Sequence, residues 1–177
     1  MKKLLFLTVL TLFCIGCEKD EFDIANPDVE EFVQQIKTGT YNGYERGENG
    51  ASLWLQMPKF TKTHIQLLID FAEDTSHITS FPLNPISSRT PFPVGREYSI
   101  LGECLLWTVE GIRNEFGYGS LDPYLIDTAL IESDRFKGLS GTEILTVRDY
   151  YKDWWISLKD KDWKDKNPLE NTTYTWF

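Results

Sequence analysis

The 177-residue sequence predicts an all-α fold of about five helices, with at most one or two short strands near residues 40–57. Three observations favour this fold class. Apolar residues recur three and four positions apart in several long segments, helix-capping residues precede those segments, and strand-like alternation is confined to one short stretch. Apolar residues also make up 41% of the chain, which supplies a core and excludes global disorder.

The first predicted helix begins at Asn26-Pro27 and ends at Gly39. Asparagine is a favoured N-cap, proline suits the first helical position, and glycine is typical of the residue after a helix. Its buried stripe is predicted to consist of Val29, Phe32, Val33 and Ile36. Turn residues fill positions 40–50, and residues 51–57 alternate loosely, as a short strand or an extended loop.

Four more helices are predicted, over residues 61–74, 98–116, 120–131 and 140–158. Ser140 and Glu143 form the capping-box pattern at the start of the last one. Within the longest helix, Gly102 and Gly111 leave room for close packing, at a propensity cost of about 1 kcal/mol each. Pairing of successive helices predicts two stacked helical hairpins, in a HEAT-like arrangement or an irregular bundle.

Apolar and aromatic side chains predict how the remaining segments pack. A connector over residues 81–93 holds four prolines and is expected to be anchored by Phe81, Leu83, Ile86 and Phe92. The seam predicted on the apolar face of the last helix consists of Tyr150, Tyr151, Trp154 and Trp155. The tail is expected to pack back onto the domain through Tyr174, Trp176 and Phe177.

Residues 1–17 have the pattern of a bacterial lipoprotein signal peptide, with two lysines followed by a short apolar run. The run is too short for a transmembrane helix, and a glycine stands directly before Cys17. A small residue before a cysteine resembles the lipoprotein cleavage box, so Cys17 is predicted to carry the lipid. The alternative is an ordinary signal peptide with an incidental cysteine. Residues 18–25 then form an acidic tether, and residues 26–177 form a single helical domain.

The segment Lys19-Asp20-Glu21 resembles the surface-export signal of Bacteroidota lipoproteins. This resemblance implies an outer-membrane lipoprotein exposed at the cell surface; the alternative is one that faces the periplasm. Lipid on Cys17 makes the membrane the first expected partner. The net charge of −9 argues against a nucleic-acid partner, which requires a basic face.

Four segments of the mature chain carry a family resemblance: Pro58-Lys59-Phe60-Thr61, residues 80–88, residues 101–113 and Ser120-Leu121-Asp122-Pro123. Together they resemble a family of small lipoproteins from Bacteroides-type bacteria. The resemblance implies an exported, anchored and mainly helical domain. That family is a domain of unknown function, so the resemblance implies no catalytic residues.

Glu103 and Glu110 lie seven residues apart, on one face of the predicted helix over residues 98–116. Seven residues correspond to roughly 10 Å along the helix axis, close to the carboxyl separation of an inverting glycosidase. This spacing raises the hypothesis of a carbohydrate-active hydrolase. The alternative is a solvated face with ordinary pKa values, which a Glu110–Arg113 ion pair at i, i+3 favours.

Six tryptophans are a high count for a chain of this length. Trp107 lies at the edge of the glutamate face, whereas Trp163 and Trp176 flank polar stretches and are expected to be exposed. These three are the candidate glycan contacts. Cys104 lies on a predicted buried arc and is expected to be an inert thiol. His64 is expected to be a core or capping residue, and the lack of paired His or Cys spacing predicts neither metal nor cofactor.

Three functional hypotheses follow. The preferred one is a surface-anchored, non-enzymatic domain that binds a protein or glycan partner. The second is the hydrolase that uses Glu103 and Glu110, and the third is a structural accessory subunit of an outer-membrane complex. An aromatic-lined groove favours the first, carboxylates that converge in a pocket favour the second, and a broad apolar patch without a pocket favours the third.

Overall fold

The computed structural model of the protein describes residues 22–46, 49, 52–88, 92–130 and 137–177. The predicted signal peptide, Cys17 and residues 18–21 of the predicted tether lie outside the described residues. Four α-helices and six short strands, paired in three two-stranded antiparallel sheets, form the regular structure of the described chain. The fold is therefore a mixture of α and β structure, and the all-α prediction is wrong.

The elements follow one another in the order α1 (Val29–Thr38), β1 (Tyr44–Arg46), β2 (Ser52–Leu55), α2 (Ile65–Phe71), β3 (His77–Ile78), β4 (Ser99–Ile100), α3 (Leu101–Arg113), β5 (Leu125–Asp127), α4 (Gly141–Leu158) and β6 (Tyr174–Trp176). Each sheet pairs two of these strands: β1 with β2, β3 with β4, and β5 with β6. Helix α3 packs against both α2 and α4, and α2 also contacts α1 and α4. None of the described helices is long and apolar enough to span a bilayer.

Helix α1 has the predicted apolar stripe, but it begins two residues later than predicted. The carboxylate of Asp28 accepts the backbone N–H of Glu31 at 2.8 Å and so serves as the N-cap. The Asn26 side chain donates instead to Asp23, which leaves it no capping role. Gly39 ends the helix in the left-handed conformation, with φ of 65°, as the sequence predicts.

Helix α3 is the centre of the core, because its residues 101–111 are all buried. Gly102 permits this arrangement: a Cβ atom at that position would overlap the backbone carbonyl of Ala72, just after α2. The predicted close packing at Gly102 is confirmed. The helix ends at Arg113, three residues earlier than predicted, and Glu115 then takes a positive φ of 55°. The chain therefore turns away from the helix axis before Phe116.

The prediction of an α-helix over residues 120–131 is wrong, because residues 120–130 form no α-helix. Residue 131 lies outside the described part of the chain. The middle of the predicted helix forms β5, which pairs with β6 in the register Leu125 to Trp176 and Asp127 to Tyr174. A short 3-10 turn, Thr128–Leu130, follows. The C-terminal tail supplies hydrogen-bond partners from about 50 residues away, and this pairing overrides local helix preference. Without a helix here the second predicted hairpin cannot form, so the arrangement of two stacked hairpins is wrong, although α2 and α3 of the first predicted pair do pack together. The predicted packing of the tail is confirmed.

Helix α4 begins with the predicted capping box, in which Ser140 N–H donates to Glu143 at 2.7 Å. The predicted aromatic seam is buried at Tyr151, Trp154 and Trp155, but Tyr150 is 39% exposed. One contiguous core extends from Phe22 through α1, α2, α3 and α4 to Leu169. Tyr174 and Trp176 of the tail pack against this core, so the described residues from Phe22 to β6 share one core, as the residues of a single domain do.

Candidate functional site

Glu103 is fully buried, so the prediction of a solvated glutamate is wrong at this position. Its Oε2 accepts Arg96 Nη2 at 2.7 Å, and its Oε1 accepts the backbone N–H of Leu125 at 2.7 Å. Arg96 Nη1 also donates to the carbonyl of Leu139 at 3.1 Å. Burial raises the pKa of Glu103 to about 7, against the opposing effect of the Arg96 guanidinium, so the expectation of an ordinary pKa is wrong here.

Glu110 is also buried, again in contrast to the predicted solvated face. The predicted i, i+3 ion pair with Arg113 is confirmed, at 2.7 Å. The Tyr151 hydroxyl donates to Glu110 Oε1 at 2.5 Å and accepts Trp176 Nε1 at 2.8 Å. Burial and the Glu110 carboxylate raise the pKa of Tyr151, so its hydroxyl keeps the proton that it donates. This chain of contacts joins α3, α4 and β6.

The two carboxylates therefore belong to separate hydrogen-bond networks within the packed interior. Hydrogen-bond donors of the protein contact both carboxylates. The main cavities of the described surface are lined by other residues. A hydrolase needs both groups in one pocket that a substrate can enter. What these two glutamates do in this fold is to hold distant segments of the chain together.

The three candidate tryptophans lie mostly inside the domain. Trp107 is fully buried and donates its indole N–H to Ser120 Oγ at 2.8 Å. Trp176 is half-buried, and its indole N–H points to Tyr151. Trp163 is buried, so the expectation of exposure is wrong for this residue, although its ring lines a cavity. Their role as glycan contacts stays a prediction.

The surface carries a different constellation, which we call the uncharged face. It consists of six exposed apolar side chains that line two cavities of about 460 and 310 Å³, namely Tyr44, Trp54, Leu83, Ile86, Phe116 and Leu121. Ile86 is 71% exposed and Phe116 63% exposed, which are high values for apolar side chains. Asn84 lines both cavities and so joins them. None of the described residues that line them is charged, in a chain of which 25% is charged.

Partly buried hydrogen bonds fix the backbone beneath the uncharged face. Asn84 Nδ2 donates to the carbonyl of Ser120 at 3.0 Å, and Asn84 Oδ1 accepts the backbone N–H of Ile86 at 3.2 Å. Ser87 Oγ donates to Asp122 at 2.6 Å. Because these bonds tie residues 84–87 to residues 120–122, the exposed Ile86 and Leu121 project from a preorganised surface rather than from a free loop.

Residues 23–177 match the family described as a domain of unknown function, DUF4943. The chain belongs to this family. No curated protein and no solved structure matches the chain. The residues of the uncharged face all lie within the matched range, so this surface is part of the DUF4943 domain itself.

The cysteine and histidine that the sequence analysis considered, Cys104 and His64, have contacts that explain them as structural residues of the DUF4943 domain. Cys104 is buried, as predicted, and burial raises the pKa of its thiol well above the usual value, which opposes thiolate formation. His64 Nδ1 accepts the backbone N–H of Thr61 at 2.9 Å, which confirms a capping role. No group of three or more histidine, cysteine or acidic side chains suited to a metal ion occurs within the described part of the chain.

Sequence reasoning missed the uncharged face, although signals for part of it exist. The alternation of Leu53, Leu55 and Met57 toward one side of the strand places Trp54 on the other side. The prediction that Leu83 and Ile86 anchor the connector is wrong, because both side chains are exposed. The sequence gives no local indication of this, because prolines prevent a periodic pattern that would separate buried from exposed positions.

Proposed function

We propose that this protein is a non-enzymatic, surface-anchored lipoprotein of the outer membrane whose DUF4943 domain binds a protein partner through the uncharged face. Lipid on Cys17 supplies the anchor, and the resemblance to Bacteroides-type lipoproteins supports this cell location. The observation that carries the proposed binding role is the charge-free lining of two adjoining cavities beneath exposed apolar side chains.

The composition of the uncharged face favours a protein partner. Protein–protein interfaces are depleted of charged residues at their centre and enriched in aromatic residues. Three of the exposed side chains are aliphatic, namely Leu83, Ile86 and Leu121. Aliphatic side chains fit pockets of another protein better than they stack on a sugar ring. Exposed apolar patches with this continuity mark interaction sites in soluble domains.

A neutral glycan is the second candidate, and one part of the face favours it. Trp54 and Tyr44, both more than 40% exposed, line the larger cavity together with the polar side chains of Ser80, Asn84 and Ser87. Flat aromatic rings beside amide and hydroxyl groups are the elements that sugar-binding sites use. Glycan binding requires Trp54 but not Phe116, so variants of these residues distinguish a glycan partner from a protein partner.

The test compares co-isolation of cross-linked partners from cells that express Ile86→Ser with Phe116→Ser, or Trp54→Ala. We expect wild type to retain one defined outer-membrane protein, which the Ile86→Ser, Phe116→Ser variant loses. Ile156→Ser is the matched control, because Ile156 is 58% exposed and lies outside both cavities. Equal recovery of the partner from all variants contradicts the proposal. If the protein binds a neutral glycan and only Trp54→Ala abolishes that binding, the second candidate function is supported instead.

The anchor has its own test. Metabolic labelling with a clickable fatty acid should label wild type and not Cys17→Ala, which should also leave the membrane fraction. Replacement of Lys19, Asp20 and Glu21 by alanine should preserve labelling but reduce protease accessibility on whole cells. Unlabelled wild type ends the lipoprotein proposal, whatever the result for the uncharged face.

A further inference from the structure

A third cavity, of about 410 Å³, lies between the chain before α2, the C-terminal end of α3 and the 3-10 turn at Trp163–Asp165. We call it the lysine cavity. Its charged lining consists of Lys59, Lys62 and Lys164 against a single acid, Glu115. The local charge is therefore positive, in a chain whose net charge is −9.

Two of these ammonium groups lie near the Trp163 ring. Lys62 Nζ lies 5.9 Å and Lys164 Nζ 5.6 Å from the ring centroid. Both distances are typical of cation–π contacts, which attract a cation but do not neutralise it. The arrangement places two like charges beside the Trp163 ring that lines the cavity.

Only one of the three lysines has an acidic partner among the described residues. Lys164 pairs with Glu115. Lys59 and Lys62 form no ion pair with another described residue. Three lysines against one acid leave an excess of positive charge around the cavity, which favours a bound anion. The lysine cavity therefore has the electrostatics of an anion site.

The lysines of the cavity are suited to a phosphate group. Lysine is a compact point charge with three donors and is a common ligand for phosphate. Met57, Phe60 and Ile112 add an apolar wall beside the charges, which suits an amphiphilic molecule better than free phosphate.

The lysine cavity also lies close to the proposed anchor. The backbone N–H of Lys59 donates to the carbonyl of Ile24 at 2.9 Å, and Ile24 is seven residues from Cys17. Seven extended residues span at most about 25 Å, which is less than the thickness of one bilayer with its headgroups. A lipid on Cys17 thus keeps the lysine cavity near the membrane surface.

We infer that the lysine cavity binds the phosphate group of an anionic membrane lipid, with Lys59 and Lys62 as the main contacts. The membrane as the source of the phosphate rests on the anchor proposed above, whereas the phosphate chemistry rests on the cavity alone. Binding at this site orients the anchored domain, because one defined side of it then faces the bilayer.

The experiment uses residues 22–177, which lack Cys17, and vesicles of equal parts phosphatidylglycerol and phosphatidylcholine. This segment holds 15 lysines and arginines against 24 acids, so its net charge of −9 repels it from anionic vesicles unless a local site binds them. We expect co-sedimentation that weakens as salt rises and that is absent with pure phosphatidylcholine. A surface lysine contributes about 1 kcal/mol to such binding, so Lys59→Gln with Lys62→Gln should weaken it about 30-fold.

Lys159→Gln with Lys161→Gln is the matched control, because it removes the same charge from exposed lysines outside the cavity. It should weaken binding far less than the cavity variant. Equal losses in both variants, or no binding by wild type, overturn the inference. Direct binding of inorganic phosphate without any vesicle binding also overturns it, because the source is then a free phosphate. Fatty-acid labelling of Cys17 is measured separately, so failure of the anchor is distinguishable from failure of the cavity.

Discussion

The buried contact between Tyr151 and Glu110 allows a sharp test of how the helices are joined. Tyr151→Phe removes one oxygen atom and leaves the packing of the ring unchanged. The hydroxyl donates to a carboxylate at 2.5 Å and accepts the Trp176 indole N–H at 2.8 Å, so two interactions are lost at once. A hydrogen bond to a charged group contributes about 1.5–3 kcal/mol, and an unpaired donor adds to this, so we expect a loss of about 2–4 kcal/mol.

The assay is urea unfolding of residues 22–177, with the free energy of unfolding extrapolated to water. Tyr150→Phe is the control, because the adjacent Tyr150 is exposed and its substitution should change stability by less than about 0.5 kcal/mol. Glu110→Gln and the double variant complete a cycle, in which Tyr151 and Glu110 should show a coupling energy of about 1–3 kcal/mol. If Tyr151→Phe is as stable as Tyr150→Phe, the network does not hold the helices together.

Three further predictions concern the core. Trp154→Ala should lower the free energy of unfolding by about 3–5 kcal/mol, because Trp154 is buried, and a near-unchanged urea midpoint would refute this. Gly102→Ala should destabilise the fold in the same assay, although alanine has the higher helix propensity, because the new methyl group overlaps the Ala72 carbonyl. Increased stability would show that the backbone after α2 shifts to make room for the methyl group. The pKa of Glu103, raised from 4.5 to about 7, means that the folded protein binds more protons than the unfolded one between these values. Stability should therefore fall as pH rises from about 4.5 to 7, and this contribution should be missing from the pH profile of Glu103→Gln.

The parts of the fold that local patterns determine could be predicted from the sequence. The stripe of α1, its Gly39 end and the capping box of α4 each depend on residues within one or two turns of the helix. The strand β5 could not be predicted in this way, because it exists only through pairing with β6 at the far end of the chain. Its sequence follows Ser120 and Pro123, residues that also begin helices.

The surroundings of Glu103 show the same limit at the level of single side chains. A helical wheel places both glutamates beside Arg113, and that placement indicates solvent. The partners that bury Glu103 are Arg96 and the backbone of Leu125, which no periodicity brings together. For Phe116 the error is the opposite one, because a residue predicted to be buried is exposed. Phe116 continues the apolar arc of α3 in the sequence, but the helix ends at Arg113 and the side chain of Phe116 is exposed.

The end of α3 also determines how the two proposed surfaces are related. Phe116 lines the uncharged face, while its neighbours Glu115 and Gly117 line the lysine cavity, so a single turn of chain separates the two. If the lysine cavity rests on lipid headgroups, the uncharged face lies at the side of the domain next to the bilayer. A partner bound there would be reached most readily if it were itself held in the membrane. If both proposals hold, we expect the partner of the uncharged face to be an integral outer-membrane protein rather than a freely diffusing one, and loss of vesicle binding should weaken partner recovery without any change in the face itself.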